Sequence, residues 1–103
     1  MCGIAGIIDS EKKPLNDNVE AMMAMQCHRG PDDEGVFSDD EVALGHVRLA
    51  VLDLSPSGAQ PMSTPDGRYT IVHNGEVYNY LELRQELEDI GAGPFRTQTD
   101  VEV

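Results

Sequence analysis

The hydrophobic positions in the first third of the chain follow two different spacings. Residues 3–8 (GIAGII) are apolar throughout and lead into polar, turn-forming residues, which is typical of a short buried strand. Within residues 15–26 the Leu, Val and Met side chains recur at helical spacing, and Asp17 with Glu20 forms a D-x-x-E pattern that predicts a helix start. Residues 28–31 (HRGP) predict where this helix ends.

The middle of the chain is richest in strand-forming residues. Residues 41–54 (EVALGHVRLAVLDL) predict one long strand, or two strands separated at Gly45. Because side chains alternate along a strand, we expect His46 and Arg48 to share one face and Val47 to lie on the other.

The last third predicts a strand followed by a helix. Residues 55–63 (SPSGAQPMS) form a turn-rich connection, and the PDG turn at 65–67 leads into a predicted strand over 68–73 (RYTIVH). A helix is predicted from 79 to 90, ended by Gly91, with Tyr80, Leu83, Leu87 and Ile90 on one apolar stripe. The element order is therefore strand, helix, strands, helix, and the final TQTDVEV predicts an element that the chain does not complete.

Length and charge restrict the class of protein. The chain has 103 residues, which predicts one domain at most, and its net charge of −12 disfavours nucleic acid as a partner. No apolar run is long enough for a membrane span and there is no secretory signal, so we expect a cytoplasmic protein without a membrane partner. The two cysteines predict no disulfide framework. We expect no metal site, because zinc-type spacing is absent among Cys2, Cys27, His28, His46 and His73.

Cys2 stands directly after Met1, an unusual place for one of the most buried residue types. If Met1 is removed, Cys2 carries both a thiol and a free α-amine. Since an α-amine is substantially neutral at about pH 7.5, it can accept the proton of the thiol. One residue would then supply both nucleophile and base. The alternative is a buried structural cysteine, and these two residues alone do not exclude it.

The segment HNGEVYN (73–79) also has two interpretations. Asn74 and Gly75 lie between two β-type runs, which favours a hairpin with a type I′ turn. Alternatively, the carboxamide N–H of Asn74 and the backbone N–H of Gly75 could stabilise a developing oxyanion.

Three further segments carry charge. Arg48 is either a solvated strand-edge charge or a two-pronged clamp for a carboxylate. Asp100 is either a surface carboxylate or the partner of a ligand ammonium. Residues 27–35 (CHRGPDDEG) are explained by a helix end followed by a polar loop.

Each motif is weak alone, but their order is specific. MCGIAG, HRGPD, RLAVLD followed by GAQPM, NGEVYN and T-x-T-D-x-E-V together resemble the glutaminase domain of class II glutamine amidotransferases, and the nearest branch looks like asparagine synthetase. Pro31 and Asp32 after HRG, and Leu49 after Arg48, favour that branch. The resemblance covers essentially the whole chain. One small departure is Thr99, where the family often has Ser.

The resemblance implies roles for individual residues. Cys2 corresponds to the nucleophile, exposed when Met1 is removed, and Asn74 and Gly75 correspond to the oxyanion hole. The thiolate would attack the γ-carboxamide of glutamine, release ammonia, and leave a γ-glutamyl thioester for water to hydrolyse.

Substrate binding and support are implied in the same way. Arg48 corresponds to the residue that holds the α-carboxylate of glutamine, while Glu76 and Asp100 correspond to groups near its α-ammonium. Arg29 and Gly30 correspond to the HRG segment packed beside the nucleophile.

The resemblance also implies a fold and partners. The expected fold is the α+β, four-layer α/β/β/α sandwich of N-terminal-nucleophile hydrolases, with antiparallel sheets, and residues 1–103 would be its N-terminal portion. No S-G-G-x-D-S loop occurs, so the ATP-using synthetase domain is expected to be absent, and this chain needs no cofactor. ATP and Mg are expected only with that domain. The expected partners are L-glutamine and an ammonia-accepting synthetase domain or subunit. Two alternatives stay open, an amidotransferase with another ammonia acceptor and an inactive remnant that binds glutamine or a partner.

Overall fold

The computed structural model describes residues 1–11 and 13–103 and has the α+β class that the sequence predicts. Its two sheets are antiparallel. The strands and helices are β1 (Gly3–Ile8), α1 (Asn16–Ala24), β2 (Asp33–Ser38), β3 (Val42–Arg48), β4 (Met62–Ser63), β5 (Thr70–Ile71) and α2 (Tyr80–Asp89), with short 3₁₀ turns at Cys27–Arg29 and Pro56–Gly58.

The larger sheet has three strands in the order β1-β3-β2, so β3 is paired on both edges. Gly45 of β3 lies opposite Ala5 of β1 and Val36 of β2. Helix α1 packs on one face of this sheet and closes the hydrophobic core. The buried core residues are Ala5, Leu15, Val19, Met23, Ala43 and Val47.

Gly45 does not break β3, which is continuous from Val42 to Arg48. A Cβ atom at this position would lie within 3.0 Å of the Met23 side chain. Glycine is therefore needed here because α1 approaches the sheet closely, not because the strand ends.

The two faces of β3 carry different chemistry, as the alternation predicts. Val47 belongs to the core under α1. His46 and Arg48 point to the opposite face, where they are buried by loops that follow β3 and contact the backbones of His73 and Ser55. This second face of the sheet supports the candidate site.

Several predicted boundaries are wrong. Helix α1 begins at Asn16 with no side-chain cap bond, so Asp17 lies inside the first turn instead of capping it. The DDEG segment is predicted as a polar loop, but strand β2 begins there, at Asp33. It becomes a strand because the neighbouring β3 supplies hydrogen-bond partners. The strand predicted over 68–73 shortens to Thr70–Ile71, paired with β4.

Helix α2 agrees closely with its prediction. It ends at Asp89, and Gly91 has the positive φ of 82° that a glycine helix stop requires. Its apolar stripe is only partly covered, since Ile90 is exposed. No helix in the described part of the chain is long and apolar enough to cross a membrane.

Candidate functional site

The register of β1 places Cys2 beside the end of β3. Gly3 lies opposite Val47, so Cys2 continues the strand toward Arg48, and its side chain reaches the backbone of the next residue, Leu49. The Sγ atom of Cys2 accepts a hydrogen bond from the Leu49 N–H at 3.3 Å and lies 3.7 Å from the Leu49 carbonyl oxygen. The thiol of the second residue is thus fixed by backbone contacts, and an N–H donated to sulfur stabilises negative charge there.

The HRGPD segment packs directly behind this thiol. Arg29 Nε donates to the carbonyl oxygen of Cys2 at 3.0 Å. Gly30 is buried against the backbone of Val47 and Arg48, so closely that a Cβ atom would collide with it. Arg29 and Gly30 therefore lie next to the nucleophile candidate without lining the open cleft.

Asp32 adds a contact that the sequence interpretation missed. Its Oδ2 accepts from the Ala50 N–H at 2.8 Å, and its own N–H donates to the Arg48 carbonyl at 3.0 Å. Both bonds fix the turn that carries the Leu49 N–H against sulfur. The only sequence signal for this role is its position directly after HRGP.

Arg48 is a buried cation, 7% exposed, whose guanidinium is held by backbone carbonyls. Nη1 donates to the Ser55 oxygen at 2.9 Å, and Nη2 donates to the Asp53 oxygen. Among residues 1–11 and 13–103 the ion pairs are Lys13–Glu11 and Arg96–Glu102, so Arg48 has no carboxylate partner there. The guanidinium is positioned and charged, which suits it to bind an anionic group.

Asn74 and Gly75 do not form the hairpin that is one of their two interpretations. A type I′ turn needs positive φ at both central residues, whereas the glycines with positive φ in the described chain are Gly67 and Gly91. No strand follows β5 in the described residues, and the chain runs on into α2. The hairpin interpretation is therefore wrong.

Asp100 contacts the segment that leads into α2. Asp100 is 7% exposed, and its Oδ2 accepts from the Val77 N–H at 2.7 Å. Glu76 is the neighbouring residue and is exposed. The loop that carries Asp100 is held by Arg84 of α2, whose Nη2 donates to the Thr99 oxygen at 3.1 Å.

One open cleft of about 340 Å³ collects these groups. Its lining includes all six residues predicted to react with or bind substrate: Cys2, Arg48, Asn74, Gly75, Glu76 and Asp100. The cleft therefore offers one thiol, one buried cation and three carboxylates, because Asp53 also lines it, in a space suited to a small zwitterion. No group of three or more His, Cys, Asp or Glu side chains that could hold a metal occurs in the described segments.

His46 and Gln60 both contact the backbone of His73, which lines the cleft. Sequence reasoning did not predict this role. His46 Nε2 lies 3.1 Å from the His73 carbonyl oxygen, and Gln60 Oε1 accepts from the His73 N–H at 2.6 Å. Burial lowers the pKa of His46 from its ordinary value of 6.5, although the hydrogen bond to His73 opposes this. A neutral imidazole that donates from Nε2 satisfies this geometry.

The fold and the composition of this cleft fit an amide-hydrolysing class that uses a cysteine nucleophile. The chain belongs to the glutamine amidotransferase domain family, whose sequence profile matches residues 1–103. It is 43% identical to the glutamine-hydrolysing asparagine synthetase 1 of Bacillus subtilis over 100% of its length, and 42% identical to a putative glutamine-hydrolysing asparagine synthetase of Methanocaldococcus jannaschii over 84%. The amidase chry2 of Gibberella zeae is 38% identical over 86% of the chain.

These relatives are much longer than the chain. It spans 17% of the Bacillus protein, 20% of the Methanocaldococcus protein and 15% of the Gibberella protein. The resemblance predicted from the five ordered motifs is confirmed at the level of the family and of its asparagine synthetase relatives. The roles of individual residues stay predictions.

Proposed function

We propose that this chain is the glutamine-hydrolysing part of an asparagine synthetase-like enzyme. The observation that carries the proposal is the convergence of the Cys2 thiol, the buried Arg48 cation and the Asp100 carboxylate on one cleft. Glutamine carries a carboxylate, an ammonium and a side-chain amide, so each part of the substrate has a chemical counterpart there.

Cys2 acts as the nucleophile once Met1 has been removed. Its α-amine takes the thiol proton, and the thiolate attacks the γ-carbonyl carbon of glutamine. The Leu49 N–H, 3.3 Å from sulfur, stabilises the charge on the thiolate before attack. The Asn74 carboxamide and the Gly75 N–H donate to the oxyanion that forms.

The tetrahedral intermediate then expels ammonia, which takes its proton from the α-ammonium of Cys2. A γ-glutamyl thioester remains on sulfur. Water adds to the thioester carbonyl with the α-amine again as base, and collapse releases glutamate and restores the thiol.

Substrate orientation comes from the opposite charges of Arg48 and Asp100, because the α-carboxylate and the α-ammonium of glutamine are attached to one carbon. Arg48 binds the α-carboxylate, because its guanidinium is held in place and has no carboxylate partner in the described chain. Asp100 and Glu76 receive the α-ammonium. The side chain of glutamine then extends from this carbon toward Cys2.

The domain is the N-terminal portion of a four-layer α/β/β/α sandwich, and its ammonia passes to a synthetase domain or subunit that uses ATP and Mg to amidate aspartate in the cytoplasm. A second candidate is an amidotransferase with another ammonia acceptor, which the similarity to a relative named as an amidase favours. The glutaminase chemistry is the same in both.

The test compares glutamate release from glutamine by the full chain, Cys2→Ala and Cys27→Ala. Cys27 is the other free cysteine and is exposed, away from the cleft, so it controls for loss of a thiol as such. We expect release by the first and third proteins only, and none from chain that retains Met1. Equal release with Cys2→Ala, or none from any protein, would contradict the proposal, and the latter result would favour a binding remnant.

A further inference from the structure

The residue just before the Asn74–Gly75 pair is held by two buried side chains from different parts of the fold. His46 is fully buried in the central strand β3, and Gln60, 8% exposed, lies in the loop before β4. Gln60 accepts from the His73 N–H at 2.6 Å, while His46 Nε2 lies 3.1 Å from the His73 oxygen. Both polar groups of one backbone residue are thus engaged by side chains.

These two groups are the ones that a hairpin would use. In a two-residue hairpin centred on Asn74 and Gly75, the His73 carbonyl accepts from the Glu76 N–H, and the His73 N–H pairs with the Glu76 carbonyl. In this structure the His73 carbonyl and the His73 N–H are bonded to His46 and Gln60 instead. Their contacts explain why a sequence that strongly favours a type I′ turn does not form one here.

Both side chains are anchored on the three-stranded sheet. His46 is part of β3 itself. The backbone of Gln60 packs on Gly35 of β2, where a Cβ atom would collide with the Gln60 carbonyl oxygen. The sheet therefore fixes the position of the His73 backbone, and with it the positions of Asn74 and Gly75.

We propose that His46 and Gln60 are positioning residues that hold the His73 backbone so that Asn74 and Gly75 face the cleft as oxyanion donors. The inference rests on the proposed function, since it assigns the two side chains to the same glutaminase site. They act through His73 and do not touch substrate. The conformation without a hairpin depends on both bonds, because each bond occupies one of the two His73 backbone groups that the hairpin would use.

The variants are matched pairs that keep or remove one hydrogen-bonding group. Gln60→Met removes the acceptor at similar length, and Gln60→Glu keeps an acceptor oxygen. His46→Met removes the donor, and His46→Gln keeps an N–H donor. If a methionine variant does not fold by circular dichroism, Gln60→Asn serves instead, because it withdraws the oxygen by one methylene.

We expect the methionine variants to lower kcat for glutamine hydrolysis by about 10- to 100-fold, since losing one whole oxyanion donor costs about 10²- to 10³-fold. KM should stay within about twofold, because binding of the α-carboxylate and α-ammonium is separate. The rate of Cys2 alkylation by iodoacetamide should not change, since alkylation uses no oxyanion donor. Gln60→Glu and His46→Gln should recover most of kcat.

A second measurement does not depend on turnover. The amide coupling constant of Gly75 in the NMR spectrum reports its φ, and amide exchange reports protection of the His73 N–H. In Gln60→Met we expect Gly75 to move toward positive φ, and we expect the exchange rate of the His73 amide to change as its acceptor changes from Gln60 to Glu76.

The outcomes separate the two proposals. Wild-type kcat and unchanged Gly75 coupling in the methionine variants would overturn the inference, and so would a fall in kcat that the conservative variants do not restore. If the wild-type chain releases no glutamate, yet Gly75 moves in Gln60→Met, the proposed function fails and the structural role of the two side chains stands.

Discussion

Replacing Gly30 with alanine tests how tightly the HRG segment must pack behind the nucleophile. The added Cβ atom would lie under 3.0 Å from the backbone of Val47 and Arg48, whereas ordinary van der Waals contact begins at 3.4 Å. The colliding atoms belong to the central strand, so no side-chain rotation can relieve them. The segment and β3 must instead separate by about 1 Å.

The expected cost has two parts. Overpacking of a buried position costs about 1–3 kcal/mol. The same displacement stretches the 3.0 Å bond from Arg29 Nε to the Cys2 carbonyl, a loss of about 1 kcal/mol. We therefore expect Gly30→Ala to lower the free energy of unfolding by about 2–4 kcal/mol.

The assay is urea unfolding of the full chain followed by circular dichroism, with Gly6→Ala as the matched control. At Gly6, on β1 of the same sheet, the nearest atom to the added Cβ is the flexible end of Leu44 at 3.3 Å. We expect this control to stay within about 0.5 kcal/mol of wild type. Equal unfolding free energies for the two variants would refute the packing argument.

Three further changes have defined outcomes. Asp32→Ala should lower the unfolding free energy by about 1 kcal/mol, because the hydrogen bond from the Ala50 N–H is lost. Asp32→Asn keeps an acceptor oxygen and should recover most of this loss. Equal unfolding free energies for the two variants would count against a stabilising role of that bond. Arg48→Lys should raise KM for glutamine about 10-fold or more. The reason is that a single ammonium cannot donate to two backbone carbonyls and also bind a carboxylate through two parallel hydrogen bonds. An unchanged KM would show that Arg48 does not bind the substrate. Burial raises the pKa of Glu102, but hydrogen bonds donated to its carboxylate outweigh this and leave it below the ordinary 4.5. Ionised Glu102 therefore stabilises the folded state above pH 4.5, and this stabilisation is lost as the pH falls through the lower pKa of the folded protein. Glu102→Gln should flatten the decline of the unfolding free energy with acidification. An unaltered slope would contradict the role of these hydrogen bonds.

Local patterns predicted the elements that depend mainly on local sequence. Residues 3–8 form β1 and helix α2 ends at Gly91, because apolar runs and a left-handed glycine act over a few residues. Strand β2 was not predicted, since its DEG start has no strand signal of its own. It becomes a strand because β3 offers it a free edge.

The candidate site illustrates the same division. The ordered motifs named six residues that now lie around one cleft, but nothing local indicated that Asn74–Gly75 would avoid a hairpin. That outcome depends on His46 and Gln60, which are 27 and 13 residues from His73 in sequence. Tertiary hydrogen bonds therefore override the local turn preference at the point where the proposed chemistry needs open donors.

The central claim is that Cys2 becomes acylated by glutamine. Acid quenching of the Met1-free chain during turnover, followed by mass spectrometry of its peptides, measures this directly. We predict a mass increase of one γ-glutamyl group on the peptide that begins with Cys2, and none on the peptide that contains Cys27. Glutamate release without that adduct, or an adduct that persists in Cys2→Ala, would contradict the account.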